Sequence, residues 1–453
     1  MNRILSAFQG SSLMSRVLRS ASWVMLGYGL SQALRLASNL VLTRLLFPEA
    51  FGMMTLVGLV VVGMQLFSDI GIGTSIIQNK RGDEPDFLDT AWTLQVLRGF
   101  ILYGLACAVA GPVASFYGEP ELARYLPIAA LALLLAGFNP TRMETANRHL
   151  MIGRLIVLDL SAQVIGVIFM IGAAIILQSV MALVLGGVVQ AAAKLALMHF
   201  LLPGHRNRPR WESAAAKELI RFGKWIFLST GMTFLLSQGD RAILGKFLSL
   251  EVLGLYNIGF FLGNFPMMLG HAVFQRVMIP VYRDRPDQDK GGAYLRKMRL
   301  LRAGLTVGTA GLLLIMALVG PALVGVLYDD RYLMSGPMVA LIATAFLPQA
   351  IFMTYDAGAL AAGDGRSFFV TIMLRATGQA LAILAGVKMF GLVGGIMGIA
   401  IAALATYPAI IWVARKHNVW DPRHDVLAGS AALAGAALVL SIHGEKISAL
   451  LAF

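Results

Sequence analysis

The sequence predicts an all-α, polytopic membrane protein, and three observations carry that prediction. Of 453 residues, 58% are hydrophobic and only 13% are charged, against about 25% charged in soluble domains. Apolar runs recur along nearly the whole chain, each near the ~20 residues that cross roughly 30 Å of hydrocarbon. Six runs precede, and at least six follow, a basic connector from Pro203 to Lys224 that holds Arg206, Arg208, Arg210, Lys217, Arg221 and Lys224. A lipid-exposed backbone must satisfy its own hydrogen bonds, which selects helices for these runs. Alternating barrel strands would look different.

In chain order, residues 1–20 read as an amphipathic cytoplasmic leader: Arg3, Arg16 and Arg19 are present, without an apolar core or small-residue cleavage site. Spans are expected near 22–45, 50–68, 91–116, 124–139, 155–177, 180–202, 224–247, 251–275, 300–326, 334–356, 369–388 and 391–414, with a further one at 425–442. The division is an N-lobe at 21–202, a linker at 203–223 that reads as a hinge, a C-lobe at 224–416 and an extra C-terminal segment at 417–453. Outer loops such as Tyr117-Gly118-Glu119-Pro120 are short, so helices and their ends must do the work.

The net charge of +13 is distributed unevenly. With the N-terminus inside, the cytoplasmic segments hold the leader arginines, Lys80 and Arg81, then Arg142, Arg148 and Arg154, the connector and the 276–302 loop. The opposite loops carry only Arg44, Arg124, Lys246, Arg331, Lys388 and Lys446. This asymmetry is the positive-inside pattern, and it accounts for the charge without nucleic acid. The single cysteine, Cys107, reads as an inert core thiol, so neither a disulfide nor a cysteine metal cluster is expected.

The halves echo one another. An offset of 202 lays Leu42-Thr43-Arg44-Leu45-Leu46-Phe47-Pro48-Glu49-Ala50-Phe51-Gly52 over Leu244-Gly245-Lys246-Phe247-Leu248-Ser249-Leu250-Glu251-Val252-Leu253-Gly254, matching leucines, a basic residue, the glutamate and the glycine. Six spans per half give both halves one orientation, with a symmetry axis along the membrane normal. Tyr28, Gln32, Arg35 and Asn39 are spaced 4, 3 and 4 residues apart, on one helix face. At the same offset stand Thr230, Ser237 and Arg241, beside Thr233 and Asp240. Gln95 and Arg98, Asp159 and Gln163, Gln190 and Lys194, and Arg375 and Gln379 are further one-face pairs.

A mid-membrane charge costs at least about 2.5 kcal/mol on insertion scales, so such groups face protein or a wet cavity. Arg35, Arg98, Lys194, Arg241 and Arg375 outnumber Asp159 and Asp240. A central cavity with that lining suits an anionic cargo, which arginine binds bidentately. The same residues admit a plainer reading: Asp240 and Arg241 as a structural pair near a helix end, Arg98 or Lys194 as snorkelling side chains. Gly391, Gly394, Gly395 and Gly398 read as a helix-packing stripe rather than a nucleotide loop. Pro266, Pro321 and Pro348 are candidate kinks.

Catalytic signatures are lacking: no HExxH, P-loop or GxSxG occurs. Asp287-Gln288-Asp289 matches a two-carboxylate glycosyltransferase pattern but has no room for a sugar-nucleotide domain. A transporter without cofactor or metal is the expectation.

Several motifs together resemble one family. The run Phe67-Ser68-Asp69-Ile70-Gly71-Ile72-Gly73-Thr74-Ser75-Ile76-Ile77-Gln78 looks like the end of the second helix in polysaccharide transporters. Asp240-Arg241 followed by Gly254-Leu255-Tyr256-Asn257 resembles the start of their second lobe, and Thr43-Arg44-Leu45-Leu46 with Glu49 and Gly52 their first outward turn. Over about residues 15–420 the chain resembles the Wzx-like oligosaccharide flippases of the multidrug/oligosaccharidyl-lipid/polysaccharide exporter superfamily. The resemblance implies two six-helix lobes around a cavity, alternating access in a bacterial inner membrane, and undecaprenyl-pyrophosphate-linked oligosaccharide as cargo. A polysaccharide polymerase or co-polymerase is a further implied partner. The anionic pyrophosphate would meet Arg35, Arg98, Arg241 and Arg375, with Lys194, Gln32, Asn39 and Gln379 in the lining and Asp240 and Asp159 balancing charge or coupling to a cation. A lipid II flippase, a drug/cation antiporter of the same superfamily and a non-transporting scaffold of a synthesis complex are the rival readings.

Overall fold

The computed structural model describes residues 13–69, 71–283 and 293–453. The leader up to residue 12 and Asp287-Gln288-Asp289 lie outside them. Among the described residues the regular structure is helical, without strands. The helices are α1 (Leu13–Leu45), α2 (Pro48–Phe67), α3 (Ile72–Gln78), α4 (Pro85–Tyr117), α5 (Leu122–Gly137), α6 (Arg142–Arg148), α7 (Ile152–Leu177), α8 (Val180–Leu201) and α9 (Ser213–Phe247). They continue as α10 (Leu250–Gly263), α11 (Phe265–Arg283), α12 (Ala293–Leu327), α13 (Ser335–Ala345), α14 (Leu347–Phe352), α15 (Asp356–Ala361), α16 (Gly365–Lys416) and α17 (Pro422–Ser448). Every expected span falls on these helices, the one at 334–356 on a run of α13, α14 and a 3-10 turn that ends at the start of α15.

Among the described residues, eight helices are long and apolar enough to cross a membrane, or ten if each of two bent pairs is one span. That tally treats α16 as one crossing. Its 52 residues would reach about 78 Å at 1.5 Å per residue, more than twice the hydrocarbon thickness. Phe390 and Gly391 leave the helical region, with Gly391 at φ 56°. Beyond them the second arm folds back on the first: a Cβ on Gly394 would lie 2.1 Å from the Gly386 carbonyl oxygen, and one on Gly398 2.8 Å from Ala382. Gly394 and Gly398 therefore form the seam of a helical hairpin, with Gly391 in its turn and Gly395 against Leu244 of α9. α1 and α9, which carry the expected polar stripes, stand outside the tally.

The proline kinks divide by position. Pro266 sits at the 41° bend between α10 and α11, and Pro348 opens α14, where its missing N–H costs nothing. Pro321 stays inside an unbroken α12. Cys107 is exposed rather than buried in a core; an alanine-rich run with little face contrast does not reveal which side packs.

The chain forms two compact units. The first comprises residues 1–46 and 56–231, the second 47–55 and 232–453. In the first, α7 packs on α8 and α1, α4 on α5, and α5 on α8. In the second, the segment Asp330–Tyr355 is central, with most of its apolar stretch buried, and packs on α10, α12 and α17. α17 is peripheral, with little of its apolar stretch buried.

Within the second unit the starts of α2 and α10 cross backbone to backbone. A Cβ on Gly52 would lie 1.9 Å from the Leu250 carbonyl oxygen, and one on Gly254 1.9 Å from that of Pro48. The two contacts are reciprocal: 250 − 48 and 254 − 52 both equal 202, the offset of the sequence match. Phe51 meets Tyr332 edge-on at 6.0 Å, and the Arg331 guanidinium lies over Phe47 at 5.1 Å.

The connector expected to act as a hinge is tied to the first unit. Arg81 donates two hydrogen bonds to Glu212, at 3.0 and 2.9 Å. His205 pairs with Asp89 at 2.7 Å, and the amides of Arg208, Arg210 and Glu212 donate to Asp89, Thr93 and Thr90. Asn207 and Thr141 exchange two bonds, at 3.0 and 2.7 Å, and Asn79 donates to Glu218 at 2.8 Å. A polar stretch of that composition reads as a loose loop in sequence, whereas here its partners come from residues 79–93 and 141.

Candidate functional site

In the first unit, Gln32, Arg35 and Asn39 lie along α1 as the 3.6-residue period dictates, Arg35 exposed and the other two half-buried. Beside them Ser31 donates to Gln163 of α7 at 2.8 Å. One turn earlier on α7, Asp159 receives Lys194 of α8 at 2.8 Å. Two residues selected separately, as a cavity cation and as a balancing anion, thus form one ion pair.

Arg98 reaches the last turn of α2, donating to Ser68 Oγ at 3.0 Å and to the Gln65 carbonyl at 2.8 Å. A cation on terminal carbonyls is favourable because those oxygens lack intrahelical partners. Asp69 lies within electrostatic reach of Arg98 and takes the Gly71 amide at 2.8 Å. That turn holds Gly71 at φ 63° and leads into Gly73, whose open face is filled by Glu144: a Cβ there would come within 3.0 Å of its carboxyl carbon. Burial pushes the Glu144 carboxyl above its ordinary range, and a hydrogen bond with Asn147 and then the charge of Lys194 counteract this only in part. Arg98, Asp69, Glu144, Lys194 and Asp159 therefore make a chain of charges along one unit. Gln95, read with Arg98, instead reaches the carbonyls of Ala136, Gly137 and Asn139 and caps α5.

In the second unit Asp240 and Arg241 point apart. Asp240, 2% exposed, accepts from Tyr256 Oη at 2.6 Å. Arg241 donates to Gln238 at 3.0 Å and lies over the Phe260 ring at 4.6 Å, a cation–π arrangement. Arg375 pairs with Asp356 at 2.7 Å, and Gln379 donates to the Leu236 carbonyl at 3.3 Å. Arg375, Gln379, Gln349 and Thr406 line a small recess of about 10 Å³.

Sequence reasoning missed Asp69 and Glu144 as members of the first set and Asp356 as the partner of Arg375. Asp69 stood inside a quoted motif. Asp356 lies 19 residues before Arg375 on a separate helix, and no helical period links them.

The extra C-terminal helix is joined to the second unit by a buried polar cluster. Asp425 accepts from Tyr355 and Tyr407, each at 2.6 Å, and from Trp420 at 3.1 Å; His424 bridges it to Thr306. Arg302, fully buried, donates to the Val419 carbonyl and Tyr282 and lies over the Tyr355 ring at 4.5 Å. Asp425 also edges an apolar cavity of about 650 Å³ among α13, α14, the second arm of α16 and α17. Among the described residues no group of three or more histidine, cysteine or acidic side chains could hold a metal ion.

The fold is that of known exporters. The lipid II flippase MurJ, in an inward closed conformation, superposes with a TM-score of 0.68 at 12% identity, covering 92% of each chain. An inward-facing MATE-family multidrug resistance transporter of the MOP superfamily gives 0.64 at 14% identity, over 85% of this chain and 94% of the other. Among curated proteins, the teichuronic acid biosynthesis protein TuaB of Bacillus subtilis is 21% identical over 62% of this chain. The lipopolysaccharide biosynthesis protein WzxC of Escherichia coli is 23% identical over 61%. These matches span little more than half of the relatives' own lengths, 57% and 56%. The succinoglycan biosynthesis transport protein ExoT of Rhizobium meliloti is 21% identical over 88% of this chain and 80% of its own. The family model described as "Polysaccharide biosynthesis protein" matches residues 41–337, well over half of the chain, and the chain is a multi-pass membrane protein that belongs to this family.

Proposed function

We propose that the protein is a flippase, not an enzyme, that carries undecaprenyl-pyrophosphate-linked oligosaccharide repeat units across the bacterial inner membrane by alternating access, with its N-terminus cytoplasmic. Its product would feed exopolysaccharide, capsule or O-antigen assembly, with a polymerase or co-polymerase as the receiving partner. The observation that carries this reading is the family membership over residues 41–337, together with cationic groups set into spanning helices. Arg98 and Arg241 each keep guanidinium N–H groups beyond those engaged above, which suits them to a pyrophosphate. Arg35, Gln32 and Asn39 on α1, with Lys194, Arg375 and Gln379, belong to the same proposed lining, and Asp159 and Asp240 balance its charge. We read residues 21–202 and 224–416 as its two repeats, which the 202-residue symmetry of the glycine contacts supports.

A drug/cation antiporter would share the fold. The spanning carboxylates argue against it: Asp159 is engaged by Lys194, Asp356 by Arg375 and Asp240 by Tyr256. Deleting the gene in its native host and following surface glycan and lipid-linked intermediates tests the proposal. Complete repeat units should accumulate on the lipid carrier at the cytoplasmic face while surface glycan is lost, and R98A or R241A protein of normal abundance should fail to restore export. Unchanged glycan with new sensitivity to cationic drugs would replace the flippase by the antiporter.

A further inference from the structure

The first unit has another cavity that none of these polar groups occupies. Near the connector, α4, α5 and α8 leave a trench of about 380 Å³ whose walls include Trp92, Leu135, Phe138, Ala196 and Phe200, with Asn207 at its rim. The trench exists because α8 places Ala192 and Ala196 one turn apart on the same face. Phe200, 80% exposed, forms one bank. The Trp92 indole N–H is already donated to the Phe138 carbonyl at 3.3 Å, so the lining is mostly apolar, with His199 and Asn207 its polar members.

The rim is cationic. Asn207 is pinned to Thr141 by its two hydrogen bonds, which fixes the backbone of Arg206 and Arg208 beside the trench. Both arginines are exposed, and among the described residues neither forms an ion pair, whereas Arg210 is held by Asp86 at 2.7 Å. Arg142, 5% exposed, donates to the Leu202 carbonyl at 2.7 Å and keeps a buried Nε without a partner. Burial, and then the nearby charge of Arg206, lower its pKa. Asp89 pairs with His205 and takes the backbone amide of Arg208, which leaves the exposed Arg206 and Arg208 side chains next to an apolar slot, a complement to an amphiphile with an anionic head.

We propose that this trench binds an anionic phospholipid of the leaflet that meets the connector, one acyl chain lying on Ala192 and Ala196 and the phosphate at Arg206 and Arg208. The walls are the ends of spanning helices, where the surrounding medium is bilayer, and basic residues at that level attract anionic lipid. The site is independent of the cargo proposed above. Bound lipid would hold the connector down on the first unit together with its protein contacts.

Native mass spectrometry of the full-length protein, purified in detergent and titrated with phosphatidylglycerol or phosphatidylcholine, tests this. The wild type should retain phosphatidylglycerol preferentially. R206Q/R208Q should weaken that retention about tenfold, and A196F, which fills the trench without touching a charge, should abolish the preference. A192L is the milder intrusion should A196F fold poorly. If the arginine pair matters while A196F and A192L retain the lipid, surface charge alone binds it and the trench proposal falls. If none of the variants changes retention, it falls equally.

Discussion

The connector at 205–218 and the crossing of α2 with α10 are both joints, yet they are made in opposite ways. The connector is held by side chains: Arg81 on Glu212, His205 on Asp89, Asn207 on Thr141. The crossing is held by their absence, with Gly52 against the Leu250 carbonyl and Gly254 against that of Pro48. Charged and amide contacts at a wet surface tolerate small displacements and respond to pH and salt. A glycine pressed on a carbonyl has no adjustable part, so it is insensitive to solution conditions and intolerant of one added carbon.

The largest effect should follow from filling the crossing. Gly52→Val places a Cβ inside contact distance of a backbone oxygen that cannot rotate away, and overpacking of this kind costs at least about 1–3 kcal/mol. Thermal unfolding in detergent should show it, and Gly254→Val should match it in size. The double variant should cost less than the sum, because either substitution alone already parts the helices. Additive losses would mean that the two contacts are independent rather than one symmetric joint.

A smaller loss is expected at the connector. Asn207→Ala removes both hydrogen bonds to the buried Thr141, a loss of about 1–2 kcal/mol. It should appear as faster amide exchange over 205–212, with the 48–56 and 250–256 amides unchanged. Exchange rising in both regions would show that the joints are coupled.

The smallest and most conditional effect is acid sensitivity. Hydrogen bonding to Arg81 holds the Glu212 carboxyl below the ordinary carboxylate range. A depressed carboxyl stabilises the folded state above its unfolded pKa and loses that contribution as pH falls through the folded value. Connector protection should therefore hold at neutral pH and fade only below about 4.5. Glu212→Gln should flatten that acid limb, and the contacts of Gly52 with the Leu250 carbonyl and of Gly254 with the Pro48 carbonyl, neither of which involves a titratable atom, should show none.

Legibility followed range. The α1 stripe was readable because its residues are 3 or 4 apart, and so was the Asp240–Arg241 adjacency. What each group does with its charge was not. Lys194 and Asp159 were counted on opposite sides of a balance, yet they are one pair across α7 and α8. That pairing leaves the cationic surplus as it stands, whereas Arg375 is offset by Asp356, an aspartate on another helix that the balance omits. Asp240 and Arg241, neighbours in sequence, turn to different aromatic partners because successive helical residues point about 100° apart.

By itself, the sequence determined that the chain spans a membrane repeatedly, where its helices lie and that its halves match at an offset of 202. These properties depend on local composition and on periods of a few residues, which water and lipid read directly. Tertiary structure alone decided that Gly394 and Gly398 form the seam of a hairpin, that the connector is sewn down and that Gly52 and Gly254 lock reciprocally. It also decided which buried charges answer one another. Those outcomes depend on which helix faces are brought together, and a period along one helix carries no information about the partner it meets.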